Sequence, residues 1–391
     1  MLQKGLMTIL ESNTRVIDMK KILMLAIFLI LLPTSIFAKE SYDRIDIKVG
    51  KSVNAKENLK LKSKSNLNII TSDNQVINST NNKEIEVMFD GKNINVKGKN
   101  FKLANFPQDG AFLINSDSPI YVDKIKRNYR GSISFRVNNG KLDIINNVQL
   151  DDYLRGVLPK EMSPEFPMES LKAQALCSRS FAINNFNKYI KKGYNLDDTT
   201  NSQVYYGKDV EEKSTDKAVE TTLGEVIKYD GKIAETIFCA SSGGYTVSSS
   251  DAWGGNAVPY LISKEDPYST HPWEYTLKDS DLKKLNLSDV FGVNLDSMNT
   301  SNRVNNISFS TSKGDITMKA KDFRQKIGNT RIKSTLFDIA CDNNKIVVKG
   351  KGYGHGVGMS QYGAVEMAKK GNNYKDIIGF YFPGTNIEKI K

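Results

Sequence analysis

Hydrophobic positions recur along this chain with two different periods, and the change from one to the other divides it. Over residues 39–150 the period is two. Ile85, Val87 and Phe89 alternate with their neighbours, Asp90-Gly91 breaks the run, and Ile94 and Val96 resume it. That pattern predicts a β-hairpin. A second is predicted where Ile133, Phe135 and Val137 lead through Asn138-Asn139-Gly140 into Leu142 and Ile144. Between the two, Asn and Lys are dense and strands are poorly marked. Small twisted sheets joined by mobile loops are expected there. No fixed-period repeat is visible.

The period then lengthens. A short apolar helix signal after Asp151 ends at Leu158-Pro159. Met168, Leu171, Ala175, Ala182, Phe186 and Ile190 follow helical spacing, and Gly193 can stop the helix they predict. Further on, a helix is expected near Asp216 to Leu223. Strands Glu225–Tyr229 and Ile233–Ala240 flank an Asp230-Gly231 turn. Residues 279–341 read as helix, strands and helix. Lys345–Lys349 reads as a strand, and a helix starts over Ala364 to Lys370. Together these predict an α+β fold, with small twisted antiparallel sheets packed around a central amphipathic helix and a β-rich N-terminal part.

Composition adds a destination. Met19-Lys20-Lys21, the apolar run Ile22 to Leu32, and Ile36-Phe37-Ala38 before Lys39 read as a secretory signal peptide over residues 1–38. Translation starting at Met19 fits this reading, and a retained anchor competes with it. No second apolar run of spanning length follows. The net charge of +11 favours acidic partners such as anionic wall polymer. Nucleic acid is not expected, because no P-loop, paired-Cys motif or Arg cluster is present. Membrane contact is expected only through an uncleaved leader. Cys177, Cys239 and Cys341 are odd in number and widely spaced, which suits buried thiols better than a disulfide framework.

Candidate chemistry concentrates in two stretches. Glu161 follows Pro159 among Leu158, Met162 and Phe166, where desolvation would favour the neutral acid. A plain surface Glu is the competing reading. Lys172 and Arg179 stand seven positions apart, nearly two helical turns, so both lie on one face. That face is either an anion site or simply solvated. In the second stretch, five glycines between Gly350 and Gly358 carry His355, with Ser360 and Gln361 just beyond. The spacing matches no phosphate loop, and Gly358-Met-Ser-Gln-Tyr is not a serine-nucleophile elbow. A polar loop that binds a sugar or orients an acid fits best, beside a plain Gly turn packing strand on helix. His271 and His355 are the only histidines, so no metal site is expected. Trp253, Tyr260, Tyr268 and Trp273 could stack on sugars or fill a core.

With these stretches in view, the chain resembles the stage II sporulation protein D / LytB amidase-enhancer family. The matching segments are Tyr153-Leu-Arg-Gly-Val-Leu-Pro-Lys-Glu-Met162, Leu171-Lys-Ala-Gln-Ala175 with Arg179, Ser202-Gln-Val-Tyr205, Ala240-Ser-Ser-Gly-Gly244, Asp251-Ala-Trp253 with Pro259-Tyr-Leu261, and Gly354-His-Gly-Val-Gly-Met-Ser-Gln-Tyr-Gly-Ala364. They fall in the family's order over residues 131–391. The resemblance implies a catalytic domain there, after a β-rich region at 39–130. It implies a peptidoglycan lytic transglycosylase that cuts the MurNAc–GlcNAc bond, on strands already stripped of peptide, to 1,6-anhydro ends.

On this resemblance Glu161 is the catalytic acid and base. Lys172, Arg179, Gln203, Tyr205, Ser242, Gly243, His355, Ser360 and Gln361 bind the glycan. Lys172 and Arg179 are further expected to hold the lactyl carboxylate of stripped muramic acid. The alternative is a non-catalytic wall-binding enhancer of an N-acetylmuramoyl-L-alanine amidase, and such an amidase is the partner the family name suggests. No cofactor is implied. Where some members place Cys and His and bind zinc, this chain reads Thr199-Thr-Asn-Ser-Gln203, so no zinc is expected. An exported protein acting at the wall, in the periplasm or outside the cell follows from the leader and the substrate together.

Overall fold

The computed structural model describes residues 42–71, 76–78, 83–99, 101–106, 112–298, 300–342 and 345–390. The expected leader, residues 1–38, lies outside them. Twelve strands precede the first described helix: β1 (Arg44–Asn54), β2 (Asn58–Lys62), β3 (Asn68–Thr71), β4 (Val76–Asn78), β5 (Glu84–Phe89), β6 (Ile94–Gly98), β7 (Phe101–Phe106), β8 (Phe112–Asn115), β9 (Ile120–Val122), β10 (Arg127–Tyr129), β11 (Ser132–Asn138) and β12 (Lys141–Gln149). With the later β13 (Leu196–Asp197) they form two sheets. One runs β13-β1-β12-β11-β8-β3-β4 and the other β10-β9-β2-β5-β6-β7.

Both expected hairpins are present. Phe89 pairs with Ile94, and Asn138 with Lys141. In the second, Asn139 and Gly140 take φ of 51° and 69°, as a two-residue turn matching the strand twist requires. Alternation explains the core. Ile45, Ile47 and Val49 of β1 are buried, and so are Leu59 and Leu61 of β2 and Ile85, Val87 and Phe89 of β5. These side chains join Tyr153, Leu154 and Val157 of the first helix in one cluster. The seven-stranded sheet takes strands from both sides of residue 130. A boundary at 130/131 therefore cuts through a single sheet, and the expected division into 39–130 and 131–391 does not follow its strands.

Helix α1 (Leu150–Glu161) extends beyond the expected break. Pro159 lies inside its last turn and Glu161 is its final residue, not a loop residue. Pro159 has no amide to donate to the Arg155 carbonyl, yet the helix runs on to Glu161. Helix α2 (Met168–Asn184) is shorter than its stripe suggested. Asn185 closes it, Phe186 and Ile190 lie beyond it, and Gly193 instead caps a separate 3-10 turn at Ile190–Lys192.

Helix α2 is the centre of the fold. Leu171, Ala175 and Ala182 join the first core. Ala173, Leu176 and Cys177 join a second, with Val357, Met359, Ala364, Ile377 and Phe382. Its polar positions Gln174, Ser178, Arg179 and Ser180 are buried as well. A third core, around Trp273, Ile307, Phe309, Phe323 and Val348, belongs to the two three-stranded sheets formed between residues 272 and 351. The helix expected near Asp216 is α3 (Lys213–Thr221). Strand Glu225–Tyr229 forms as expected, whereas Ile233–Ala240 is mostly irregular, with a two-residue strand at Phe238–Cys239.

Arg179 ties these parts together. It is 0% exposed, and its guanidinium donates from Nε and Nη2 to Asp151 Oδ1 of α1 (3.0 and 2.7 Å). Nη1 donates to the Glu225 carbonyl at 3.0 Å, and Nη2 also to the Val219 carbonyl of α3 at 3.4 Å. A buried charge is tolerated only with partners of this kind. Arg179→Ala strands Asp151 and two carbonyls. It is expected to lower unfolding stability by about 3–5 kcal/mol, read from the denaturant midpoint. A variant that keeps the wild-type midpoint contradicts this role.

Candidate active site

Glu161 leaves the end of α1 into a cleft of about 420 Å³. Five segments build its walls. Phe181 and Asn185 come from the end of α2, and Thr200 to Val204 from the loop after β13. Glu235 to Phe238 form the irregular stretch before the short strand, and Trp253 and His355 close the cleft. The short strand Phe238–Cys239 pairs in parallel with Met359–Ser360. This pairing brings Phe238 and His355 to one place.

The glycines on either side of His355 are required there. Gly354 and Gly356 have φ of 107° and 83°. An added Cβ would meet Cys239 Cβ at 2.9 Å at the first, and Arg303 Nη2 at 2.3 Å at the second. Only glycine combines that backbone with so close an approach.

The electrostatics separate the two titratable groups. Glu161 is half-buried, and desolvation raises its pKa to about 7, against the lowering effect of a hydrogen bond from the Val204 backbone. The helix C-terminus beside it adds partial negative charge, which also favours the neutral acid. His355 moves the other way. Burial, then the Arg303 and Arg324 charges, lower its pKa to about 4, against a raising bond to the Phe238 backbone. The Val357 N–H donates to Nδ1 at 3.0 Å, so the remaining ring nitrogen carries the proton of a neutral imidazole. His355 thus stays uncharged at neutral pH, held by backbone hydrogen bonds. Its ring lies 5.3 Å from that of Trp253, which is 56% exposed. Gln203 is 2% exposed. Its side-chain carbonyl accepts the Tyr153 hydroxyl at 3.3 Å, and among the described residues its Nε2 has no partner. A donor left open beside an acid suits a ligand oxygen.

Of the expected binding residues, Gln203 and His355 line the cleft with Glu161, and the others are placed elsewhere. Arg179 is the buried tie described above, so it cannot receive a lactyl carboxylate. Lys172 pairs with Glu169 at 2.6 Å, while Glu169 accepts the Tyr374 amide. Tyr205 is buried under α1, and its hydroxyl donates to Asn146 at 2.8 Å. Ser242 is buried and donates to Asp266. Gly243 lines a separate cleft with Trp273 and Gly350. Ser360 caps the helix Gln361–Lys369 and donates to Ser269, and Gln361 reaches Gln174. A Ser360–His355 nucleophile pair is absent, because backbone groups occupy the imidazole.

Tyr260 and Trp273 fill cores, Tyr268 packs edge-on against Phe380, and Trp253 alone of the four aromatic residues lines this cleft. Glu235, Lys188 and Phe181 also line it and were not singled out from the sequence. Phe181 carried a signal, being an aromatic off the apolar stripe of α2. Thr199 and Ser202 offer hydroxyls already bonded to Asp197, not the thiolate and imidazole donors zinc favours, so this loop does not fit that metal.

Comparison with known proteins gives the family. The model described as stage II sporulation protein matches residues 138–229, and a domain of unknown function (DUF8618) matches residues 274–358. The stage II sporulation protein D of Bacillus subtilis is 32% identical over 266 residues, 63% of this chain and 76% of that one. The chain belongs to the stage II sporulation protein D family. An uncharacterized protein of Brachyspira hyodysenteriae is 36% identical over 269 residues, covering 66% of this chain and 72% of that one. The amidase enhancer of Bacillus subtilis is 35% identical over 289 residues, 60% of this chain but 40% of its own length. Within this family member, Glu161 and Gln203 fall in the first matched segment and His355 in the second.

The raised pKa makes a stability prediction. Below about pH 4.5 Glu161 is protonated whether folded or not, and nothing is lost. As pH rises to about 7 the unfolded chain ionises first, and the folded state loses stability. Glu161→Gln removes that loss. It is expected to be more stable than wild type by about 1–3 kcal/mol at pH 8 and equal to it at pH 4. Equal denaturation midpoints at both pH values contradict the assigned burial.

Proposed function

We propose that this protein is a peptidoglycan lytic transglycosylase in which Glu161 is the single acid and base. Family membership supports a cell-wall role, and the relatives' names suggest action outside the cytoplasm. Among the described residues no helix is long and apolar enough to cross a membrane. The observation that carries the finer reading is Glu161 itself: a carboxyl desolvated enough to hold its proton near pH 7, set in a cleft with an open amide donor and an exposed indole.

The chemistry follows from that proton. Glu161 gives it to the bridging oxygen as the bond to muramic C1 breaks. The resulting carboxylate then takes the proton of the same sugar's 6-hydroxyl, whose oxygen closes on C1. The product is an anhydro ring, and Glu161 ends protonated as it began. No water is consumed, so no second carboxyl is needed. The exposed Trp253 ring offers a face for a sugar, and the Gln203 amide can donate to one of its oxygens.

A second reading has one observation in its favour, the name of the Bacillus subtilis amidase enhancer. In that reading the protein binds the wall and stimulates an amidase without cutting glycan. Mass spectrometry of peptide-stripped glycan treated with purified protein separates the two. Anhydro ends are expected from wild type and are reduced about 10²–10⁴-fold in Glu161→Gln. Their absence from wild type supports the enhancer. Free reducing ends would instead indicate hydrolysis, with Glu235 available as a second carboxylate in the cleft. Because the acid must be protonated, the rate is expected to fall as pH rises above about 7. A rate still climbing at pH 9 contradicts the assignment.

A further inference from the structure

A second cleft, of about 430 Å³, lies between β2, the β9–β10 hairpin and the turn at Gly207–Val210. Lys62, Lys64 and Lys208 line it together with Tyr121 and Asn128. Lys62 is paired with Glu84 at 3.0 Å. Among the described residues no ion pair is found for Lys64 or Lys208. The one carboxylate in the lining, Asp209, is taken up by the Asn128 amide groups at 2.8 Å. Among the described residues the cleft therefore holds two lysines without an ion pair, beside one carboxylate that is hydrogen-bonded to neutral amides.

Its position relative to Glu161 is fixed by the chain. Val204 lines the cleft of the acid and Lys208 lines this one. They are four positions apart in sequence, so their backbones stand at most about 14 Å apart. Between them Tyr206 carries two more cations on its ring, Arg127 at 3.5 Å and Lys160 at 4.6 Å, and Lys160 is the neighbour of Glu161. Arg127 is also paired with Asp198 at 4.0 Å, so among the described residues Lys160 is the cation without an ion pair between the two clefts.

We propose that the Lys64/Lys208 cleft is a remote subsite for the same glycan strand that Glu161 cuts, gripping lactyl carboxylates of sugar units away from the scissile bond. This rests on the transglycosylase reading for its substrate. A stripped strand presents a carboxylate at every muramic residue, so a polymer held at Glu161 brings further anions within reach. The role expected of Lys172 and Arg179, which are engaged elsewhere, passes to cations on a different face.

The test uses Glu161→Gln protein throughout, so that strands are not consumed, and measures binding of long peptide-free glycan. Lys64→Ala/Lys208→Ala is expected to weaken that binding about tenfold and to leave binding of a single disaccharide unchanged. Lys64→Arg/Lys208→Arg is expected to restore it, and amidation of the lactyl carboxylates to reproduce the loss. Unchanged affinity for long strands overturns the proposal. So does a phosphodiester wall polymer that binds as tightly with the same lysine dependence. Lysine-dependent binding without anhydro ends from the unsubstituted protein would retire the catalytic reading and keep the subsite. Anhydro ends without lysine dependence would do the reverse.

Discussion

A guanidinium enclosed by protein on every side sets the terms for this fold. Arg179 cannot be neutralised, so its surroundings must supply acceptors in fixed directions. They come from Asp151 at the start of α1, the Val219 carbonyl near the end of α3, and the Glu225 carbonyl at the start of a strand. Three elements that contact one another modestly are thereby held in one arrangement around α2. That helix in turn separates the first core from the second. The carboxyl at the far end of α1 inherits its position from this tie at the near end.

The cleft depends on a second constraint, the meeting of segments far apart in sequence. Glu161, the loop through Gln203, the stretch through Phe238 and the turn at His355 have no local reason to converge. Parallel pairing of Phe238 with Met359 brings two of them together, and the glycines around His355 let the turn pass against Cys239 and Arg303. The outcome is a division of labour by environment. Desolvation acts on both groups, but it keeps a carboxyl protonated and an imidazole neutral. One fold therefore makes an acid of the first and a fixed hydrogen-bonding group of the second.

How much of this the sequence disclosed depends on the range of each signal. The hairpins at Asp90-Gly91 and Asn139-Gly140 were legible because a short turn and its flanking alternation are local. The raised pKa of Glu161 was legible because its apolar neighbours are adjacent in sequence. The ends of α1 and α2 were misjudged by a few residues. Pro159 is tolerated in a final turn, and the stripe through Phe186 and Ile190 continued past the point where the backbone leaves the helix. The functions expected of Arg179, Tyr205, Ser242 and Ser360 were misplaced for one reason. A polar residue within a recognisable motif looks the same whether it faces a ligand or satisfies a buried partner, and that distinction is tertiary. Glu235 and Lys188 were invisible because nothing near them in sequence marks a cleft.

β1 lies between β12 and β13, pairing Arg44 with Gln149 on one edge and Ile47 with Leu196 on the other. The chain must therefore close a loop of 87 positions, from Asn54 to Lys141, before this strand finds its nearer neighbour in sequence, and a longer one for the other. Contacts of such long range are slow to form. During synthesis this strand, with its apolar face of Ile45, Ile47 and Val49, waits without either neighbour until the middle of the protein has been made. Asp46, Lys48 and Lys51 place charge along it, a feature that disfavours pairing with another copy.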